Sequence, residues 1–552
     1  MRKLFVLTFL FSIFLNLSSQ DECLYSLMKE RNEFYFEFEC DKQRLAELSR
    51  LISIDEVDGN KVVAYADNQE YEKFLALGVE TKLLTPPSML ENHNMYDIDA
   101  RDEYEWDEYP TYEAYEMMMN AYAESYPEKC SLIELGTLDS GRKLLIMRIN
   151  NGELNKPKVL LTSTIHGDET TGFVLMLRLI DELLTSDGFP EVGNVISNID
   201  LFICPNANPD GTYHNGNHTV SGATRSNAFG VDMNRNYPDC VDGEHPDGRD
   251  YALETELFMS FAKDYQFTMS ANYHGGAEVV NYPWDNSKKR HVDDKWWQMI
   301  SRQYADLVHA ENPDYMTDRN NGVTNGADWY VINGSRQDYM NYYEQCREVT
   351  IECSSTKCPP ASELPLYWKY NRNSIYALLN QVLYGIHGTV RDAETQQPLN
   401  ASVKVLSHDE VYSMVESQLP YGNFYRPIKA GTYTIEFEAE GYIPKRETIV
   451  VYDNDKVTLD IKLDKYEDSF ADYECDDVEI VTNLAEKKVF VKAKEFHQEI
   501  KWELINMKGQ IVKKSSEIKG NSEVDLQELG LGVYFLNVVV GNKQTGRKIV
   551  VR

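Results

Sequence analysis

Residues 159–165 form a short apolar run rich in β-formers that stops at His166-Gly167-Asp168-Glu169, and residues 171–184 follow with helical spacing. The pattern predicts a strand, a tight turn at Gly167 and an amphipathic helix. The same alternation of strand and helix continues from residue 112 to about 384, which implies a largely parallel or mixed sheet flanked by helices. Four predicted strands end on chemically loaded residues. The run 159–165 ends at His166, and 199–203 leads into Pro205-Asn206-Ala207-Asn208-Pro209-Asp210-Gly211. The run 267–273 ends at His274-Gly275-Gly276, and 348–351 ends at Glu352. Sites in open α/β sheets form outside the carboxyl ends of the strands, so the four ends are expected on one rim.

His166 and Glu169 stand three apart, where an imidazole nitrogen and a carboxylate oxygen can reach one cation. Zinc accepts this mixed donor set and keeps a position open in catalytic sites. Alone, the pair reads first as a polar turn without metal; what overturns that lies in the residues downstream.

At 552 residues the chain has room for about three or four domains. Its apolar content of 42% excludes global disorder. A net charge of −34 argues against nucleic-acid binding and against anchoring on an anionic lipid surface. It favours cationic ligands, although solubility alone is a sufficient reason for acidity. Arg2 and Lys3 precede an apolar run over 4–17 and the small residues Ser18 and Ser19, the layout of a secretory signal peptide over 1–20. No later stretch is long and apolar enough to serve as a transmembrane segment. The mature chain is therefore expected to be secreted or held at the cell surface, where its nine cysteines can oxidise. Cys23 with Cys40 and Cys353 with Cys358 are candidate pairs, and the connectivity stays open.

Residues 21–85 read as a small α/β unit with strands at 33–40, 61–66 and 79–84 and helices at 43–52 and 69–77. Pro86-Pro87 and the acidic, Tyr-rich stretch to Tyr109 read as a linker. Beyond the α/β region, 386–465 is all-β, with strands at 386–391, 401–405, 432–438 and 456–463. An acidic linker precedes a second β module, with strands at 488–493, 500–505, 533–540 and 548–551.

The motifs His166-Gly167-Asp168-Glu169, Pro205 to Gly211, Gly230-Val231-Asp232-Met233-Asn234-Arg235-Asn236 and Asn272-Tyr273-His274-Gly275-Gly276 come in an order that resembles zinc carboxypeptidases of the A/B family. Thr324-Asn325-Gly326-Ala327-Asp328-Trp329-Tyr330 and Thr350-Ile351-Glu352 complete the series, whose wording is closest to the D/E/N branch. The resemblance covers roughly residues 110–385. It implies one zinc ion per chain held by His166, Glu169 and His274, with Asp232 orienting a ligand imidazole. It implies Glu352 as general base and Arg225 as the positive charge facing the oxyanion. Asn234, Arg235 and Tyr330 would grip the terminal carboxylate of a peptide, for which the fork of Arg is suited. Asp285 and Gln337 match positions that line the pocket for the last side chain, and a carboxylate beside an amide there suits Lys or Arg.

Gly431-Thr432-Tyr433-Thr434-Ile435 followed by Gly441-Tyr442 resembles the transthyretin-like β-sandwich that trails this branch. Gly530-Leu531-Gly532-Val533-Tyr534-Phe535-Leu536 and the hairpin leading to Lys548-Ile549-Val550 are similar to C-terminal sorting domains of the type nine (Por) secretion system, although the usual Asn-Pro opening is missing. The expected organisation is a signal peptide (1–20), a pro-segment-like α/β unit with its linker (21–100) and an α/β catalytic domain (101–385). A transthyretin-like β-sandwich (386–465), a linker (466–477) and a sorting domain (478–552) complete it. Directly ahead of a hydrolase, the first unit is either an inhibitory cap or a plain folded adaptor. The expected partners are peptide or protein C-termini and, through the last domain, the secretion machinery. The rival functions are a zinc amidase or peptidoglycan peptidase on the same fold, and a metal-free secreted binding protein. The retained carboxylate grip speaks against the first, and His166 and Glu352 speak against the second.

Overall fold

The computed structural model describes residues 19–97, 104–186, 188–465, 478–483, 487–494, 499–507, 509–515, 518–540 and 543–551. Most of the expected signal peptide and the whole 466–477 linker lie outside them.

The N-terminal unit is an antiparallel sheet in the order Ser53–Asp58, Lys61–Ala66, Phe34–Glu39, Thr81–Leu83, packed on the helices Ser19–Arg31 and Asn68–Leu75. Alternation in Phe34–Glu39 puts Phe34, Phe36 and Phe38 on one face, against Tyr71 and Phe74 of the second helix. That helix starts at a capping box formed by Asp67 and Glu70. Two elements differ from the sequence pattern. The helix expected over 43–52 shrinks to single turns at Lys42–Arg44 and Leu45–Leu48. The strand Ser53–Asp58 escaped the pattern because a bulge between Ile54 and Glu56 breaks its period of two.

Residues 86–97 and 104–109 are pinned at several points. The Ser88 hydroxyl donates to the Ala223 carbonyl at 2.6 Å, the Tyr109 hydroxyl donates to that of Pro359 at 2.9 Å, and Met95–Tyr96 pairs in parallel with Tyr109–Pro110.

The central sheet has eight strands in the order Val323–Asn325, Ala277–Tyr282, Arg347–Ser354, Met269–His274, Lys158–Ser163, Asp200–Cys204, Lys143–Ile149, Cys130–Thr137. The four strands with loaded ends are neighbours and run parallel, in registers that set Asn272 beside Thr162 and His274 beside Glu352. Helices Thr171–Thr185, Asp294–Glu311 and Leu364–Asn380 cover one face, and Leu253–Tyr265 and Arg336–Tyr342 cover the other. Both faces are dry, so the central strands read as continuous apolar runs; every residue of Asp200–Cys204 is buried.

Residues 385–463 form two sheets, a mixed one of Asn423–Arg426, Gly385–Asp392 and Lys456–Leu463, and an antiparallel one of Val415–Glu416, Ser402–Val405, Gly431–Glu438 and Lys445–Val451. The C-terminal module, taken by itself, has a three-stranded sheet built on Lys488–Ala493. A second sheet is built on Glu499–Asn506, Gly532–Val540 and Lys543–Val551. Their inward residues, Val489, Val491, Leu504, Leu536 and Val538 among them, form its core.

All eight described cysteines are free thiols. The expected pairs do not form: Cys353 donates from its strand to the His274 carbonyl at 3.1 Å, and Cys358 accepts from the Thr170 hydroxyl at 3.2 Å. Cys40 donates to the carbonyl of Asp41 at 3.1 Å, while Cys23 is exposed.

A fully buried charge network joins the central sheet to the β layer behind it. Arg426 lies 2.9 Å from Asp293 and 2.6 Å from Asp409, and Arg347, on the strand that carries Glu352, lies 3.4 Å from Asp293. Removing one member strands the opposite charge in a dry place. Arg426→Met should therefore lower stability by about 3–5 kcal/mol in urea unfolding of the intact chain, the range for breaking a buried pair. A loss below about 1 kcal/mol, the scale of an exposed pair, would show that water reaches the network.

Candidate metal centre

The strand Lys158–Ser163 delivers His166 into a turn where Gly167 is required: a Cβ there would sit 2.4 Å from the Gly211 carbonyl carbon. Glu169 lies at the N-terminal end of the helix Thr171–Thr185, and His274 ends the neighbouring strand. One ligand atom from each of the three falls within 4.8 Å of the others. His166 Nδ1 is 2.9 Å from Glu169 Oε1, and His274 Nδ1 is 2.8 Å from Oε2. Burial lowers His274 to about 4, so it presents the neutral imidazole that a metal needs. Burial alone would raise the Glu169 carboxyl, but His166, Lys357 and His274 outweigh it and hold the group well below its usual range. Two imidazole nitrogens and one carboxylate oxygen, all shielded from water, are a donor set that fits zinc.

Asp232 stands behind this triad. Its Oδ1 is 3.2 Å from His166 Nε2, while its Oδ2 accepts from Arg225 Nε at 3.0 Å. Glu352 is the parallel-register neighbour of His274. Its Oε2 is buried and has no partner among the described residues. Burial, then repulsion from Glu169, pushes its carboxyl well above the usual range. Such a group can accept a proton near neutral pH.

Asn234, Arg235, Tyr330 and Asp285 line the same cleft as the triad, Arg225 and Glu352. Arg235 Nε is buried without a partner among the described residues. Asp285 accepts from Asn281 at 3.0 Å and from Gln337 at 2.9 Å. Gln337 is not in the cleft wall; it stands behind Asp285 and takes the backbone N–H of Thr350 at 2.9 Å. Asp232 likewise acts from behind His166.

Two residues at the centre were not singled out in the sequence. Lys357, five positions past Glu352, is buried with its Nζ 2.7 Å from Glu169 and 2.9 Å from Asp55. Asp55 comes from the N-terminal unit, where it is the extra residue of the bulge and lines the cleft. Around it, the Ser53 hydroxyl donates to Asp232 at 2.6 Å and Tyr330 donates its hydroxyl to the Ile54 carbonyl at 3.1 Å. The Tyr65 hydroxyl donates to Asp168 at 2.8 Å. About 60 Å³ of water-accessible space remains, enough for a few waters and not for a peptide end. No periodicity marks either residue; a lone Lys and an acidic strand read as solvated surface.

Residues 115–374 match the family profile described as zinc carboxypeptidase, and residues 483–552 match the one described as a secretion system C-terminal sorting domain. Over 375 residues the chain is 33% identical to carboxypeptidase D of Anas platyrhynchos, covering 63% of this chain and 26% of that protein. It thus spans about a quarter of the length of those relatives. Over 361 residues it is 30% identical to carboxypeptidase M of Mus musculus, covering 60% of this chain and 78% of that one. Among solved structures, carboxypeptidase A from Helicoverpa armigera aligns at a TM-score of 0.49 and 18% identity, covering 63% of this chain and 98% of that chain.

Removing one of three donors should empty the centre. Metal analysis of purified His274→Ala is expected to show a large loss of bound zinc, and full stoichiometry in that variant would remove His274 from the ligand set.

Proposed function

The chain belongs to the zinc carboxypeptidase family, and on that premise we propose that it is a metallocarboxypeptidase that removes single residues from the C-termini of peptides or proteins. The observation that carries the reading is the convergence of His166, Glu169 and His274 beside the unpartnered carboxyl oxygen of Glu352, one strand away. The family is zinc-dependent, and these three residues would hold the ion. When bound, zinc polarises the scissile carbonyl and makes a water more acidic. Asp232 takes the Nε2 side of His166 and so leaves Nδ1 free to ligate. Glu352 takes one proton from the attacking water and delivers it to the leaving amine. Arg225, held in place by Asp232, presents a fixed positive charge to the oxygen that gains charge. Asn234, Arg235 and Tyr330 receive the terminal carboxylate, which confines cleavage to the last bond.

Asp285, backed by Gln337, gives the side-chain pocket its charge, and we assign it a preference for C-terminal Lys or Arg. The sorting domain marks the chain as exported, secreted or at the cell surface. We take that domain as the part read by secretion machinery. No helix among the described residues is long and apolar enough to cross a membrane.

We assign the N-terminal unit the role of inhibitory cap. Its support is the Asp55 carboxylate on Lys357 and the Tyr330 hydroxyl held by Ile54, both inside the cleft a substrate would fill. The bidentate Arg50–Asp242 pair at 2.9 Å and the Arg249–Asp67 pair fasten its rim.

Glu352→Gln should keep zinc and fold while kcat falls about a hundred- to ten-thousand-fold, since a neutral amide cannot take the proton. A variant within a few-fold of wild type would assign the base elsewhere. With synthetic peptides differing only in the last residue, Asp285→Ala should lose rate mainly on Lys- and Arg-ended members; equal loss on all would reject the pocket. Asp55→Ala should raise the activity of the full chain several-fold by weakening the cap, and an unchanged rate would make the unit a bystander.

A further inference from the structure

Three carboxylates cluster at one corner of the cleft, Asp285 in its wall and Asp239 and Asp338 behind it, each at most 3% exposed. Their hydrogen-bond donors are all neutral. Asp285 is served by Asn281 and Gln337, and Asp338 by the backbone N–H groups of Asp285 and Asn286 at 2.9–3.1 Å. Asp239 is served by Asn286 and by the N–H groups of Val241, Asp242 and Gly334. No cation comes within ion-pair distance of any of them among the described residues. Asn281, which lines the cleft with Asp285, has a buried Oδ1 without a partner among the described residues. Buried negative charge normally carries a counter-charge, so this corner suits a positive group rich in donors.

We propose that Asp338 is a second specificity-determining carboxylate, a positioning residue that acts through Asp285, and that the pair is completed by the cationic side chain of the substrate's last residue. The inference rests on the assignment of Asp285 to the side-chain pocket. Asp338 ties the loop of Asp285 to the helix Arg336–Tyr342, which also carries Gln337, so the pocket's acceptors move as one body. Burial, then mutual repulsion, holds the Asp338 carboxyl well above its ordinary range; burial does the same, more mildly, for Asp285. The other charges facing the pair are Arg235, whose pull on Asp285 is downward, and Asp239. Beyond them lies the Arg336–Glu348 pair at 3.1 Å, and the Cys240 thiol, pushed up to about 11, stays neutral. Both carboxyls therefore hold a proton more tightly than an ordinary carboxyl does, and an arriving ammonium or guanidinium favours its release to solvent.

The test compares Arg-ended with Leu-ended peptides across pH in the zinc-loaded full chain, with wild type, Asp285→Asn and Asp338→Asn. Both substrates meet the same cap, so the ratio of their kcat/KM values cancels its effect. In wild type the Arg/Leu ratio should rise with pH as the raised carboxyls lose their protons. Asp338→Asn should lower that ratio about tenfold or more, chiefly through KM, and flatten its rise, in line with the strength of charge-assisted bonds. If Asp285→Asn abolishes the preference and Asp338→Asn leaves ratio and pH profile intact, the second carboxylate is rejected and the pocket stands. If wild type has no preference for Arg, both are rejected. Should Asp338→Asn fail to fold, calorimetry of wild type in two buffers of different ionisation enthalpy decides: free arginine should release about one proton more than free leucine on binding, and equal release overturns the proposal.

Discussion

A carboxylate with 3% of its surface exposed can stay ionised only if positive charge or strong donors are brought to it, and Glu169 is in that position. Five groups answer it: His166, His274, Lys357, Arg225 and the backbone N–H of Gly275. They arrive from four separate segments of chain. Parallel strands in fixed register are what bring two of those segments to one point, because a slip of one residue would turn His274 and Glu352 to the opposite face. The sheet's burial on both sides is therefore a condition of the centre as well as of stability.

The same electrostatic demand explains how the N-terminal unit is seated. Arg225 and Lys357, which serve Glu169 from the body, also face the N-terminal unit, and Asp55 meets both. An edge strand without a bulge would pair along its length and keep alternating sides, whereas the extra residue between Ile54 and Glu56 turns a carboxylate toward the body. In the proposed reading a substrate's terminal carboxylate enters the cleft that Asp55 lines, so the unit and the substrate compete for the same space.

Two buried polar systems of opposite construction share this domain. The network of Arg426, Arg347, Asp293 and Asp409 is closed, two guanidiniums against two carboxylates, and it serves to hold layers together. The Asp239, Asp285 and Asp338 cluster is open, with neutral donors only. Closed networks specify a structure, while open ones create a demand that a ligand can meet.

The sequence by itself determined the α/β class, the four loaded strand ends and the identity of nearly every residue at the centre. It did so because each of these is a local signal: an apolar run, a punctuating Gly, a polar motif just after it. The relation of 159–165 to His166 needs nothing beyond nearest neighbours along the chain. Tertiary structure alone decided the rest. Lys357 is an unremarkable polar residue until burial leaves it facing Glu169, and Asp55 belongs to a strand whose bulge erased its own periodicity. Gln337 proved to stand behind Asp285, since the helix Arg336–Tyr342 turns it toward the N–H of Thr350. Cysteines that looked pairable by spacing became separate thiols, because strand and loop geometry set their directions. In each case the deciding quantity was distance across the fold, which a one-dimensional pattern does not contain.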